Sequence, residues 1–197
     1  MHKFLLLPLL ASAVSLGGCG DQSTPSTGAD QQAATSAEPA KQSATLSDAA
    51  AEDVIIDVAV DTASNEAVPV TAGQSLTGAF VAPNAGAVQS VSIVIGNNLN
   101  TSDGKLAVKI CQNGACAEGS ADLAGSTDNA YFKVALGQPL VVTADAPVEY
   151  TLTKDGGSVP VAVYLFAAQE GSGGTTNDLT SGAATPRLPQ FGLEYVQ

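Results

Sequence analysis

The fold class of this 197-residue chain is indicated most clearly by the stretch Leu106-Ala107-Val108-Lys109-Ile110-Cys111-Gln112-Asn113-Gly114-Ala115-Cys116. In its first half, large apolar side chains alternate with small or basic ones, which is the pattern of a β-strand with one buried face. Asn-Gly is the strongest short signal for a tight hairpin turn. Because the two strand ends face each other across this turn, we predict a disulfide between Cys111 and Cys116. A redox-active or metal-binding pair is the alternative, and Cys-x-x-Cys spacing and further ligands would be expected for it.

The same period-two alternation recurs from Asp53 onward. Gly, Asn, Pro and Asp occur at short intervals between the alternating segments, and no segment has the length and period of an amphipathic helix. Acidic residues form the outer face of the first segment, which suits the edge of a sheet. The last segment, Val159–Phe166, is apolar on both faces apart from the Tyr164 hydroxyl, as expected for a central strand. We therefore predict an all-β fold, a jelly-roll-like β-sandwich of about 8–10 antiparallel strands.

The amino terminus has the three parts of a secretory signal peptide. A short basic start, His2 and Lys3, precedes an apolar run from Phe4 to Leu16 and the small pair Gly17-Gly18. The apolar run is too short to cross a bilayer as a helix, which needs roughly 20 apolar residues. We therefore expect this segment to be cleaved.

The sequence Leu16-Gly17-Gly18-Cys19 at the end of this segment resembles the lipobox of bacterial lipoproteins. The resemblance implies cleavage after residue 18, attachment of lipid to Cys19, and anchoring of the mature protein in a membrane. Gly20 follows the cysteine, whereas Asp at that position is the inner-membrane retention signal in enteric bacteria. The implied location is the outer membrane, on its periplasmic or cell-surface face. An ordinary signal peptide with a chance cysteine is the alternative.

Composition divides the chain into four predicted segments. Residues 1–18 are the signal peptide, and residues 19–52 are the lipidated cysteine and a disordered linker, since this polar stretch has no aromatic residue to bury. Residues 53–170 form the β-sandwich domain, and residues 171–197 form a flexible linker and an apolar C-terminal tail. The apolar tail residues either pack back on the sandwich or dock in an extended form on a partner. These residues are Leu188, Phe191, Leu193 and Tyr195.

Charge and residue usage exclude several functions. Without residues 1–18 the chain loses Lys3 and its only histidine, which leaves a strongly acidic protein whose few basic residues are scattered. Nucleic acid is therefore an unfavourable partner, because phosphate binding needs clustered Lys and Arg. The missing histidine removes the usual general base and the commonest transition-metal ligand. We predict that the protein is not an enzyme, and among catalytic classes only a carboxylate-dependent glycan hydrolase stays open.

Two sets of loop and strand residues are candidate sites. Tyr131 alternates out of phase with the core-facing Phe132, so we expect it to stand exposed beside Lys133 as a ligand-stacking residue. Oxygen-donating side chains in the loops are the ligand type that calcium prefers, although their order differs from the helix-loop-helix calcium motif. These candidate ligands of a structural calcium are Asn98, Asn100, Asp103 and Asp128. We expect no cofactor beyond the covalent lipid and this candidate calcium.

The segment from about Leu76 to Leu165 resembles the jelly-roll modules of bacterial envelope proteins and membrane glycosyltransferases. The resemblance is carried by Gly78-Ala79-Phe80, Ser92-Ile93-Val94-Ile95, Asp103-Gly104, Leu106-Ala107-Val108, Asp128-Asn129, Tyr131-Phe132, Pro139-Leu140 and Tyr150-Thr151-Leu152. It implies a carbohydrate-binding-like topology. The leading functional hypothesis is a lipid-anchored envelope protein whose sandwich binds a glycan or an envelope protein. The alternative is an accessory subunit of a secretion, pilus or surface apparatus that docks through its C-terminal tail.

Overall fold

The computed structural model describes residues 54–196. Cys19, the predicted signal peptide and the predicted linker lie outside the described residues. Within the described range the chain forms thirteen β-strands, and no helix there is long and apolar enough to cross a membrane. The strands are β1 (Val54–Asp57), β2 (Val60–Val70), β3 (Ser75–Val81), β4 (Gly86–Gly96), β5 (Lys105–Gln112), β6 (Ala115–Asp122), β7 (Ala130–Val142), β8 (Pro147–Asp155), β9 (Val161–Ala168), β10 (Thr175–Asn177), β11 (Ala184–Thr185), β12 (Arg187–Pro189) and β13 (Phe191–Tyr195).

The strands form two antiparallel sheets that pack as a sandwich, which confirms the predicted all-β fold. Sheet I has the order β1-β13-β4-β9-β12, with β2 paired to β9 and β7 paired to β4. Sheet II has the order β11-β10-β3-β8-β5-β6. The acidic first strand, β1, lies at an edge of sheet I as predicted, and β9 has partners on both of its sides.

The space between the sheets is filled by the inward-facing half of each strand. Alternation of buried and exposed positions is clearest in β8, where every second side chain is buried, and in β7, where only Gln138 interrupts it. Phe80, Tyr150 and Phe191 form an aromatic cluster at its centre. The ring centroid of Phe191 lies 5.1 Å from that of Phe80 and 4.9 Å from that of Tyr150. These rings join the two sheets, because Phe191 belongs to sheet I and the other two belong to sheet II.

The C-terminal segment is part of this sandwich, which corrects the predicted domain boundary at residue 170 and the predicted flexible tail. Strand β13 lies inside sheet I and pairs with β1 on one side and β4 on the other. Such a position satisfies its backbone groups and buries its apolar side chains. The four predicted docking residues are therefore buried core residues, with exposed fractions of 0% for Leu188, 0% for Phe191, 1% for Leu193 and 7% for Tyr195. Of the two alternatives for these residues, packing on the sandwich is the one observed.

The hairpin between β5 and β6 has the predicted form. Asn113 and Gly114 occupy its turn with φ angles of 52° and 81°, the left-handed region that Asn and Gly tolerate best. Cys111 and Cys116 are direct cross-strand partners and form a disulfide, with their Cα atoms 4.1 Å apart. The predicted disulfide is confirmed.

Candidate functional site

The predicted ligand-stacking residue lies on the outer face of sheet I. Residues paired across a sheet share a face, so the strand register identifies the side chains that surround Tyr131 on this surface. We call this surface the Tyr131 face. It includes the outward residues Ile55, Asp57, Ser90, Ser92, Val94, Tyr131, Lys133, Ala135, Gln190 and Glu194.

Tyr131 extends across this face. Its hydroxyl donates a hydrogen bond to Asp57 Oδ1 at 3.0 Å and accepts one from Gln190 Nε2 at 2.8 Å. Asp57 belongs to β1, which is separated from β7 by the two strands β4 and β13. At about 4.8 Å per strand, the two Cα atoms are roughly 14 Å apart, a distance bridged by the extended tyrosine side chain, the hydrogen bond and the side chain of Asp57 together. The side chain therefore runs along the sheet surface, and 46% of it is exposed to solvent.

The hydroxyl of Tyr131 is held in its protonated form. Burial raises the pKa of Tyr131 to about 12, and the hydrogen bond and negative charge of Asp57 act in the same direction, while the hydrogen bond from Gln190 acts against them. The group therefore remains a donor over the whole physiological pH range. Two hydrogen bonds at its far end fix the orientation of the ring.

Lys133 forms an ion pair on the same face. Its Nζ lies 2.5 Å from Glu194 Oε2, and the two side chains are 54% and 4% exposed, respectively. Ser90 Oγ donates a hydrogen bond to the same carboxylate oxygen. A carboxylate that is almost completely buried needs such partners, because an uncompensated buried charge is strongly destabilising. The ion pair thereby holds the Lys133 side chain on the same face of the sheet as Tyr131.

A groove of about 390 Å³ continues the Tyr131 face toward the carboxyl end of β7. Its walls include Lys133 and Glu194 on one side and the Gly137-Gln138-Pro139 segment on the other. The pairing of β4 with β7 is interrupted here by a register shift between Val88 and Ser90, which moves this part of β7 away from the regular ladder. The groove offers an ammonium group, a hydroxyl and a side-chain amide to a bound molecule.

The structure divides the four predicted calcium ligands. Asn100 and Asp128 lie together, since Asn100 Oδ1 accepts a hydrogen bond from the backbone N–H of Asp128 at 2.8 Å. Asp128 Oδ1 accepts a further bond from the backbone N–H of Asn97, and Asn98 Nδ2 donates to Thr101 Oγ1 at 3.1 Å. Asn100 Oδ1 and Asp128 Oδ1 therefore each accept a hydrogen bond from a backbone N–H group of the protein.

Asp103 belongs to a different cluster. Its carboxylate accepts hydrogen bonds from the backbone N–H groups of Ser158 and Val159, each at 2.8 Å, and lies 4.0 Å from the Nζ of the buried Lys154. The bond from Ser158, followed by that from Val159, holds the pKa of Asp103 below its ordinary value. Between Ile55 and Val196 no three His, Cys, Asp or Glu side chains are grouped so that they could hold a metal ion. Calcium binding stays a prediction.

Sequence reasoning located Tyr131 and Lys133 but missed the residues that fix them. Asp57 was assigned only to an acidic outer face, and Ser90, Gln190 and Glu194 were not singled out. Tyr164 was noted only as the polar exception in a buried strand. Its alternation with Val163 and Leu165, which point inward, was the one available signal that it faces outward.

No protein family model matches this chain, and no curated protein sequence matches it significantly.

Proposed function

We propose that this protein is a lipid-anchored cell-envelope lipoprotein whose β-sandwich binds an uncharged glycan on the Tyr131 face without catalysing a reaction. The lipid anchor is supported by the Leu16-Gly17-Gly18-Cys19 sequence that follows the short apolar run. Conversion of Cys19 to alanine is expected to move the protein from the detergent-soluble membrane fraction to the aqueous fraction. Retention of the variant in the membrane would contradict lipid attachment at this cysteine.

Glycan binding is supported above all by the ring of Tyr131, which is held by two hydrogen bonds and is partly exposed to solvent. A pyranose has a face of C–H groups that packs on an aromatic ring and a rim of hydroxyl groups that need hydrogen-bond partners. Around the ring, Asp57 accepts, Lys133 donates, and Gln190 can do both. Because the ring is already held by two hydrogen bonds, little side-chain entropy is lost when a ligand stacks on it.

Charge favours an uncharged ligand over an anionic one. The whole chain carries a formal net charge of −12, and the Tyr131 face contains two carboxylates and one ammonium group. Acidic glycans would therefore be repelled by the surface on which they must dock.

The proposal is tested by applying the full-length protein in detergent to an array of neutral and acidic glycans. We expect binding to neutral glycans that is lost with Tyr131→Ala and largely retained with Tyr131→Phe, which keeps the ring. Failure of every neutral glycan to bind would overturn the proposal. Hydrolysis of a bound glycan, abolished by Glu194→Gln without unfolding, would instead identify a carboxylate-dependent hydrolase.

The tail residues on which the accessory-subunit alternative depended do not support it. It required Leu188, Phe191, Leu193 and Tyr195 to be available to a partner, whereas these side chains form part of the core.

A further inference from the structure

A second tyrosine extends across the outer face of sheet I. Tyr164 projects from β9 on the same side as Tyr131, and its hydroxyl donates a hydrogen bond to Asn129 Oδ1, just before β7. Strand β4 lies between these two elements. The side chain of Tyr164 therefore crosses β4, as the side chain of Tyr131 does, but from the opposite direction.

Gly96 allows this ring to lie directly on the sheet. A Cβ atom at Gly96 would come within 2.9 Å of the Tyr164 hydroxyl oxygen and within 3.2 Å of a carbon of its ring. Contacts this short would push the ring outward. The absence of a side chain at position 96 is thus the physical reason that Tyr164 can rest on the strand.

The strand register places the two tyrosines side by side. Tyr131 is the partner of Val94 on one side of β4, and Val163 is the partner of Ile95 on the other side. The Cα atoms of Tyr131 and Tyr164 therefore lie on opposite sides of β4, about two interstrand spacings apart, or roughly 10 Å. Their side chains cross β4 at different positions, Tyr131 beside Val94 and Tyr164 over Gly96, which is two residues or roughly 7 Å further along the strand. Two rings offset in this way can stack on consecutive sugars of one chain.

A groove of about 360 Å³ extends the surface beyond Tyr164. Its lining includes Gly96, Leu99, Pro160 and Ala162. Leu99 is 81% exposed, and it lies in the middle of three successive non-glycine residues with positive φ angles, 44° for Asn98, 58° for Leu99 and 65° for Asn100. Such a left-handed turn is costly for non-glycine residues, and strain of this kind clusters at binding sites. The turn presents an apolar side chain to solvent at the end of the groove.

From these observations we infer that the Tyr131 face and the Tyr164 groove form one extended site for a linear, uncharged oligosaccharide of several sugar units. Tyr131 and Tyr164 stack on different sugars of the same chain, and Leu99 contacts its end. The inference rests on the proposed glycan-binding function and adds to it the size and the extended shape of the ligand.

The test measures binding of the full-length protein to two neutral series, the chito-oligosaccharides and the cello-oligosaccharides, each from monosaccharide to hexasaccharide, by isothermal titration calorimetry. For at least one series we expect Kd to fall about tenfold or more with chain length, as expected for one added aromatic contact, and then to level off. In Gly96→Ala the displaced Tyr164 ring should abolish this gain, while binding of the shortest ligands stays unchanged. Tyr131→Ala should weaken binding at every length.

Three variants serve as controls. Thr151→Ala, on the outer face of sheet II, should leave the length series unchanged. Tyr164→Phe keeps the ring and loses only the bond to Asn129, so it should keep most of the length gain. Tyr164→Ala replaces Gly96→Ala if that variant does not fold, because Tyr164 is an outward side chain that is not part of the core.

The outcomes separate the inference from the proposed function. Equal affinity for short and long ligands, or an unchanged length series in both Gly96→Ala and Tyr164→Ala, would overturn the extended site while glycan binding at Tyr131 stands. Failure of the unmodified protein to bind any member of either series, together with an empty neutral-glycan array, would overturn both.

Discussion

Replacement of Phe191 by alanine should strongly destabilise the domain. Phe191 has an exposed fraction of 0%, and its ring packs on Phe80 and Tyr150. Truncation of a buried phenylalanine costs about 3–5 kcal/mol, through lost burial and the cavity left behind. The cavity should close poorly, because the hydroxyl of Tyr150 is hydrogen-bonded to Thr176 Oγ1 at 2.5 Å and cannot follow its ring inward without breaking that bond. We therefore expect a loss of about 4 kcal/mol, in the middle of this range.

Urea-induced unfolding provides the measurement. The midpoint should fall while the m value stays constant, and a loss of this size corresponds to a drop in Tm of about 8–16 °C for a domain of this length. Val196→Ala is the matched control, since Val196 directly follows β13 and is 46% exposed. Its effect should stay within about 0.5 kcal/mol. If Phe191→Ala cost less than about 1 kcal/mol, β13 would not be part of the core, and a docking role for the C-terminal segment would return.

The remaining predictions concern pH and the disulfide. Because folding lowers the pKa of Asp103, its contribution to stability is present above the ordinary carboxyl pKa and is lost as the pH falls through the lower, folded pKa. Thermal melts of Asp103→Asn should therefore show a loss of stability at neutral pH that shrinks progressively as the pH falls below about 4, the ordinary carboxyl pKa. Folding raises the pKa of Tyr131 to about 12, so its contribution to stability is complete below the ordinary tyrosine pKa and is lost as the pH rises through about 12. Spectrophotometric titration of the unmodified protein should show tyrosinate formation near this pH, and Tyr131→Phe should lack that step. Replacement of Cys111 and Cys116 by serine should lower the free energy of unfolding by about 2 kcal/mol or less, because the loop that the disulfide closes is short. A larger loss in urea unfolding would show that the disulfide stabilises the domain by more than the entropy of closing this loop.

Sequence reasoning found the strands that have one buried and one exposed face. Strands β5 and β8 alternate strictly, and β7 alternates except at Gly137-Gln138-Pro139, so the burial of each side chain follows from its position in the sequence pattern. Short strands β10, β11 and β12 were missed because Gly, Ser, Thr and Pro surround them, and those residues indicate turns and linkers. The pairing of Thr175 and Thr176 with β3 depends on a distant part of the chain that their own sequence does not reveal.

For the candidate site too, the sequence predicted what depends on neighbouring residues and missed what depends on distant ones. Alternation was sufficient to place Tyr131 on the outer face, because that depends only on its immediate neighbours. Its hydrogen-bond partners Asp57 and Gln190 lie 74 and 59 positions away in the chain. They meet Tyr131 only because β1 and β13 follow β4 in the sheet. Strand order is a property of the whole fold, and no local pattern predicts it.

The position of β13 between β1 and β4 also determines when the domain can form. During synthesis the chain emerges in order, so β1 and β4 are available long before Phe191–Tyr195. Until those residues arrive, β1 has no strand partner, and the rings of Phe80 and Tyr150 lack the third member of their cluster. Pairing across such a large sequence separation is slow. Sheet I can therefore be completed only after β13 is available, and a chain that stops before Phe191 would leave β1 unpaired.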